Sequence, residues 1–519
     1  MSLQLNKRSI LKYTAQVGSL TFLSRILGII RDTLVIRFFG IGAISDAFLT
    51  AFRIPNSLRH IFAEGALSAS VIPAFVKSVK NNDREESNGL MTLSFLFFEG
   101  TVLLLCAIVL FKTELIMKFI APGFSAEQNA YAIPFLRMLF PLLLLISGSS
   151  LFAGALQSVN HFFVPAFGTP LWNLIYIATL ILCIMFKLPS TVLCGGIILG
   201  AFISFLLHLY MYYSFGFAFG HITTRSWSAF KTVLSKFFPC LLGVGIVEIN
   251  IFVSGIFASF LPKGSISLLY LGQRFMNLPL GMFAVALSSI LLPHFSRVVL
   301  YAPKRLNFYI LEATKFVSWV IIPIVLFLMF CSENIFITFL GSQATPENIF
   351  QAKWILIFYL SGLLFLCLNR VLLNVFYAMK DTTATSIAAG ASAVINIIGD
   401  IVGIYFFGAY GIAIANTIAG LSLTLLCFYF LHTRHQFYFY SGNYFNFLGR
   451  YIAQLSFAAC CFMMIYAATM HHFLALPLYQ FISTGLGYWL LVPPLGLACM
   501  IAVFLTRRAF VVDLYFLNK

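Results

Sequence analysis

Apolar residues in this chain come in long runs, and polar residues fall in short clusters between them. A run of ~20 apolar residues is long enough to cross the ~30 Å hydrocarbon core of a bilayer as an α-helix. The pattern predicts fourteen spans, at 14–40, 44–76, 89–111, 131–158, 164–186, 190–216, 237–261, 265–296, 310–331, 352–379, 384–406, 411–432, 449–470 and 481–506. The connections are too short for a soluble domain. The most polar of them, Lys77–Ser87, is a loop, and so is the stretch around Ala121-Pro122-Gly123-Phe124.

The second and eighth spans repeat one another. Arg53-Ile-Pro-Asn56 matches Arg274-Phe-Met-Asn277, Phe62-Ala63 matches Phe283-Ala284, and Ala66-Leu-Ser68 running to Pro73 matches Ala286-Leu-Ser288 running to Pro293, with one single-residue gap. Shared Arg, Asn and Pro positions are uncommon inside membrane helices. Six spans separate the copies, so they run in the same direction, as in transporters built from parallel halves. The expected fold class is therefore an all-α polytopic membrane protein. Its parts would be two six-helix lobes, 1–216 and 217–433, with the substrate site between them, and two additional helices in 434–519.

Composition excludes the soluble classes. Of 519 residues, 61% are hydrophobic and 9% charged, and the mean hydropathy is +0.97, against a usual charged fraction of about 25%. The net charge of +16 would raise nucleic acid as a partner for a soluble protein; here it reads as topology. Lys7, Arg8 and Lys12, then Lys77, Lys80 and Arg84, then Arg225, Lys231 and Lys236, then Lys304 and Arg305, then Arg507 and Arg508 mark alternate connections. The positive-inside rule puts these, and both termini, in the cytoplasm. The first apolar stretch has no small-residue cleavage site and contains Arg25, Arg31 and Asp32, so no removable signal peptide is expected. Ten cysteines form no C-x-x-C pair and read as small lipophilic side chains. There is no phosphate-binding G-x-x-x-x-G-K-[ST] and no H-E-x-x-H, and His471-His472 reads as a polar turn. A transporter without a cofactor or a bound metal fits better than an enzyme.

Charge inside a membrane helix costs about 2.5–3.5 kcal/mol even on lenient scales, so each such residue must face protein or water. These residues gather in the first two spans: Ser24, Arg25, Arg31 and Asp32, then Asp46, Arg53, Arg59 and Glu64. Arg25, Arg31 and Asp32 are expected to share roughly one helical face, and Arg53 and Arg59 repeat the spacing. Arg274 is the repeat equivalent of Arg53. If these five arginines converge on three acids, the site is net positive. Guanidinium groups bind phosphate through planar, paired hydrogen bonds, which suits a phosphate or pyrophosphate head group. The alternative is that the arginines form structural ion pairs with Asp32, Asp46 and Glu64. Pro55 and Pro73, with Gly65 between them, are expected to break the second span, as at transport sites.

A second polar set lies further on: Glu248 and Asn250 in the seventh span, Asn396 and Asp400 in the eleventh, Asn416 and Thr417 in the twelfth. Their oxygens suit Na+ or a transferable proton, or else an interhelical hydrogen-bond cluster. Glu99 in the third span has no evident partner.

The long pattern Ser24-Arg25-x-x-Gly28-x-x-Arg31-Asp32, Gly40-x-Gly42-x-x-x-Asp46-Ala47-Phe48 and Arg53-x-Pro55-Asn56-x-x-Arg59-x-x-Phe62-Ala63-Glu64-Gly65-Ala66 resembles the MurJ (MviN) lipid II flippases. So do Ala121-Pro122-Gly123-Phe124, the Gly154-x-x-Gln157 to Asn173 stretch with Phe162, Pro165, Ala166 and Pro170, and Phe376-Tyr377-Ala378-x-x-Asp381. The resemblance spans nearly the whole chain. It implies a multidrug/oligosaccharidyl-lipid/polysaccharide exporter with fourteen helices and a central cavity. Such a protein moves undecaprenyl-pyrophosphate-linked peptidoglycan precursor from the cytoplasmic to the periplasmic leaflet of the bacterial inner membrane by alternating access. The family's cavity arginines map to Arg25, Arg31, Arg59 and Arg274, its cavity aspartate to Asp46, and its Glu-Gly turn to Glu64-Gly65. Arg53 joins the expected pyrophosphate set, with Ser24, Asp32, Pro55 and Asn277 at the cavity or gate. The chain departs from the pattern at His60, at Gln273 and Asn277, where acids are usual, and at Thr385, where Pro is usual.

The expected partners are lipid II and the bilayer, with no nucleic acid; the expected state is a monomer, with cell-wall synthesis proteins as further contacts. Coupling to Na+, H+ or the membrane potential would supply energy, since a ligand shifts a conformational equilibrium only by its differential affinity. The alternatives are a cation-coupled multidrug antiporter or another lipid-linked oligosaccharide exporter of the same superfamily, and a membrane scaffold with matched buried charges.

Overall fold

The computed structural model describes residues 7–59, 66–80, 83–341, 345–473 and 485–517. They form two compact units, 1–267 and 268–519, and among the described residues regular structure is entirely helical.

In the first unit α1 is Lys7–Phe39, α2 Ala43–Arg59, α3 Ala66–Lys80, α4 Arg84–Phe111, α5 Thr113–Ile120, α6 Ala126–Leu139, α7 Leu142–Ser158, α8 Phe163–Phe186, α9 Ser190–Ser214 and α10 Thr224–Ala258. The expected second span is two helices, but Pro55 and Pro73 both lie inside them. Neither proline ends its helix, and residues 60–65 between the two lie outside the described residues. The expected fourth span is also two helices, α6 and α7, joined at Phe140-Pro141, where proline has no N–H for the ladder. A capping box between Ser125 and Gln128 starts α6 and accounts for the polar turn after Phe124. The core is aromatic. Phe75, Phe98, Phe152, Tyr212, Phe230 and Phe237, from α3, α4, α7, α9 and α10, are all buried together, and edge-on aromatic pairs such as Phe98–Phe237 add about 0.5–1.5 kcal/mol each beyond their area.

α11, Ser265–Pro279, starts in the first unit and carries the chain into the second. It is followed by a π-helical turn at Leu280–Ala284, α12 Val285–Tyr301, α13 Leu306–Leu340, α14 Pro346–Ala378, α15 Thr382–Phe407, α16 Ala409–His435, α17 Ser441–Phe473 and α18 Leu486–Thr506. The π turn interrupts the α-helical ladder within the expected eighth span. α15 and α16 pack closely because Gly403 and Gly411 face each other with no room for a Cβ. Amides hold α14 to its neighbours: Asn369 Nδ2 donates to Gly420 O at 2.9 Å and Asn374 Nδ2 to Ser288 Oγ at 2.7 Å. α17 and α18 are tied by Gln454, whose amide donates to Val503 O at 2.7 Å and to Thr506 Oγ1 at 2.9 Å. His471 and His472 are not a turn; they lie in the last turn of α17, which runs further than the apolar pattern indicated.

Among the described residues, ten helical segments are long and apolar enough to cross a membrane, with α6 and α7 counted as one. The other four expected positions hold α1, diluted by its charges, the paired α2–α3 and α11–α12, and α10, whose first half carries Lys231 and Lys236.

Candidate functional site

On α1, six residues separate Arg25 from Arg31, which at 3.6 residues per turn sets them about 120° apart. The expected shared face is therefore split. Arg31 is buried: its Nε and Nη2 donate to Asp32 Oδ1 at 2.9 and 2.7 Å, and its Nη1 donates to Asn173 Oδ1 at 2.9 Å. The guanidinium also lies 5.3 Å from the Tyr176 ring and 5.7 Å from that of Trp172, where cation–π attraction adds to the pairing. The same Asn173 amide reaches back to Ser24 O and Ser24 Oγ, both at 3.3 Å. α1 and α8 are thus joined by a polar seam in which the ion-pair alternative holds for Arg31 and Asp32. Arg25 is half-buried and outside this seam.

Asp46, in the first turn of α2, is buried. Its Oδ2 accepts the Gly264 N–H at 2.6 Å, and its Oδ1 accepts the Ser267 N–H at 2.9 Å and the Ser267 hydroxyl at 2.7 Å. Gly264 has a φ of +93°, which aims its N–H at the carboxylate in a conformation glycine adopts without strain. Asp46 therefore supplies from a distant element the acceptor that the first turn of a helix ordinarily takes from its own cap. The Ser45 and Ser267 hydroxyls, 2.8 Å apart, close the cluster.

Arg53 lies over Gly255 of α10, where a Cβ would collide with its guanidinium. Pro55 is buried within α2. Arg59, in the last turn of α2, donates from Nε to Asn56 Oδ1 at 3.3 Å and borders an open cavity of about 290 Å³ lined by α7, α8 and α9. Glu64 and Gly65 lie outside the described residues. In the second unit Arg274 is half-buried on α11, and Asn277, one turn on, is exposed.

The second polar set is distributed over both units. Glu248 is half-buried on α10 in the first. Asn396 and Asp400 are buried one turn apart on α15. The Ser392 hydroxyl donates to Ala419 O at 2.8 Å and Gly399 faces Ala415, a register that brings Asn416 to the level of Asn396 and Asp400. Thr417 points elsewhere, donating to Phe358 O of α14 at 2.7 Å. Glu99 does have a partner: the Ser147 hydroxyl of α7 donates to its Oε1, a contact set by α4–α7 packing that no spacing in the sequence foretells.

The described residues form an all-helical polytopic bundle, the architecture of a transporter of the multidrug/oligosaccharidyl-lipid/polysaccharide exporter type. A multidrug resistance MATE family transporter, in an inward-facing conformation, shares this fold over 79% of the chain and 94% of its own, with a TM-score of 0.69 at 14% identity. The structure titled lipid II flippase MurJ, inward closed conformation, matches over 95% of the chain and 99% of its own, with a TM-score of 0.76 at 26% identity. The family model described as lipid II flippase MurJ matches residues 35–482. The chain belongs to that family. It is similar to the probable lipid II flippases MurJ of Vibrio cholerae, at 29% identity over 81% of the chain and 82% of the relative, and of Aquifex aeolicus, at 31% over 77% and 79%. It is accordingly a transporter, not an enzyme, and a multi-pass protein of the bacterial inner membrane.

Proposed function

We propose that the protein carries lipid II, the undecaprenyl-pyrophosphate-linked peptidoglycan precursor, from the cytoplasmic to the periplasmic leaflet by alternating access, for cell-wall synthesis. The observation that carries the reading is that Arg59, at the end of α2, borders a cavity lined by α7, α8 and α9. Arg25, Arg53, Arg59 and Arg274 bind the pyrophosphate, to which guanidinium offers paired donors; Arg31 and Asp32 fix α1 on α8, with Ser24, for the others. Asp46, Pro55, Glu64, Gly65 and Asn277 belong to the gate.

Both termini are cytoplasmic and the protein works as a monomer, in contact with the enzymes that consume its substrate. Energy comes from the membrane potential, worth ~2.3 kcal/mol per charge per 100 mV, or from Na+ or H+ at Asn396, Asp400 and Asn416, without Glu248 and Thr417. The test is translocation of a fluorescent undecaprenyl-pyrophosphate glycopeptide in proteoliposomes. Wild type transports under a potential or an ion gradient, and Arg25→Ala and Arg274→Ala at matched abundance do not. Wild-type inactivity under every gradient overturns the reading.

A further inference from the structure

Glu99 is the sixteenth of the 28 residues of α4, roughly 20 Å from either end at 1.5 Å per residue. It is 9% exposed, inside a helix with the length and composition of a membrane span. Among the described residues no cation pairs with it. α7 meets it with Ser147 and has no ionisable residue of its own. From α9 comes the Phe205 ring. A Cβ on Gly148 would lie 2.7 Å from that ring and 3.7 Å from Glu99 Oε1, so the glycine is what lets both approach α7. His208 of α9 is turned to Gly168 of α8. α10 sets Phe237 against Phe98 and Cys240 beside the same core. Its Arg225, Lys231 and Lys236 are exposed, and Glu248 lies two turns beyond Cys240. The charges of α3 and α5, Lys77, Lys80, Glu114 and Lys118, are exposed as well. On α4 itself Arg84, Glu85 and Glu86 are confined to the first turn, and Cys106, two turns past Glu99, donates to Phe140 O at 3.9 Å.

Ser147 gives its hydroxyl to this carboxyl, whereas Ser149 and Ser150 of the same helix donate to their own backbone, Leu145 O at 2.7 Å and Ile146 O at 2.9 Å. One hydroxyl does not offset the burial of a full negative charge in apolar surroundings, where an isolated carboxylate neutralises instead. A carboxylic acid fits the site: its carbonyl oxygen accepts from Ser147, and its O–H remains a donor. A metal cation is poorly served, since no three His, Cys, Asp or Glu come together among the described residues. We propose that Glu99 is a proton-binding site, holding a proton while α4 and α7 are packed as here and handing it to water when α7 draws away. The opposite face of α7 carries Ile146, Ser149, Ser150, Ala153 and Gln157, which line the cavity beside Arg59. One helix therefore reports proton occupancy on one side and cavity shape on the other, and such linkage is reciprocal. The coupling to transport rests on the lipid II reading; the proton site itself does not.

The test is infrared difference spectroscopy of the full chain in lipid bilayers, wild type against Glu99→Gln, whose amide copies the shape of the neutral acid. At neutral pH the wild type should show the carbonyl stretch of a protonated carboxylic acid, sensitive to D2O, that the variant lacks. If Glu99→Gln does not fold, Ser147→Ala takes its place and should move the same band by removing its hydrogen bond. No band lost or moved by either substitution overturns the proton site. In proteoliposomes at matched abundance Glu99→Gln, which cannot release a proton, should slow lipid transport at least about fivefold, the low end of ordinary coupling. Glu99→Asp, which keeps the carboxyl, should recover part of the rate. Wild-type transport by Glu99→Gln from about pH 6 to about pH 9 overturns the release step and leaves a permanently neutral acid. A wild type that shows the band but moves no lipid removes the flippase reading and leaves the proton site standing.

Discussion

Asp46 and Ser267 occupy equivalent places in the two copies of the internal repeat, and they are hydrogen bonded to each other, Ser267 Oγ to Asp46 Oδ1 at 2.7 Å. Their separation of 221 residues is also that of Arg53 and Arg274. The two copies have divided the work: one supplies the carboxylate and the other the helix terminus that receives it.

Removing that carboxylate leaves buried N–H groups of Gly264 and Ser267 without an acceptor, which costs about 1–3 kcal/mol. Asp46→Ala should lower the melting temperature in mild detergent, and Ser267→Ala should do so less. In a double-mutant cycle the two should couple by about 0.5–3 kcal/mol. Strict additivity would show that the contact carries no energy.

Arg31→Lys should act on folding more than on the substrate. An ammonium cannot bridge Asp32 and Asn173 with planar geometry while lying against two rings. We expect reduced thermal stability and protein yield, with residual transport per folded molecule. Arg25→Ala should show the opposite: a normal melting temperature and no transport. Comparison of melting curves with single-vesicle transport rates separates the two.

Asp381 caps α15, accepting the Ala384 N–H at 3.0 Å, and it lies 2.9 Å from His435 Nε2 and 3.7 Å from Arg434 Nη1. The Ala384 amide first, then His435 and Arg434, hold its carboxyl below the usual aspartate range. A lowered folded value means that the stabilisation is present above the unfolded pKa of ~3.9 and fades as pH falls through the folded one. Asp381→Ala should cost about 1 kcal/mol at neutral pH. The gap from wild type should narrow only below about pH 4, as read from melting temperatures across a pH series.

Gln454→Leu removes both bonds that tie α17 to α18. Interhelical hydrogen bonds in membranes average about 0.6 kcal/mol, so a loss of about 1 kcal/mol is expected in thermal or denaturant unfolding. Transport should persist if these helices only flank the pathway.

The spans were legible because the bilayer imposes one length and one chemistry on each, and the repeat was legible because Arg, Asn and Pro are rare in such helices. The fate of each charge was not. Neighbours on a helix ordinarily do not face each other, yet Arg31 folds back on Asp32 because Asn173, on a helix distant in sequence, receives its other end. Asp46 read as a cavity acid because its partners are backbone amides, which sequence does not distinguish. Gln157 stood out in a motif, but only packing shows it beside Arg59 on a cavity wall.

The π turn at Leu280–Ala284 makes residue number, more than residue identity, the quantity that matters there. A π turn holds one residue more than an α turn, and each residue rotates a helix by about 100°. α12 now buries Leu291, Phe295 and Val298 and exposes Ile290, Leu300 and Tyr301. Deleting any one residue of the turn would restore a continuous helix and swing that arrangement by about 100°, carrying the buried side chains out of their contacts. Lineages should therefore tolerate substitutions across these five positions while keeping their count fixed, an indel-free island inside an otherwise permissive apolar sequence.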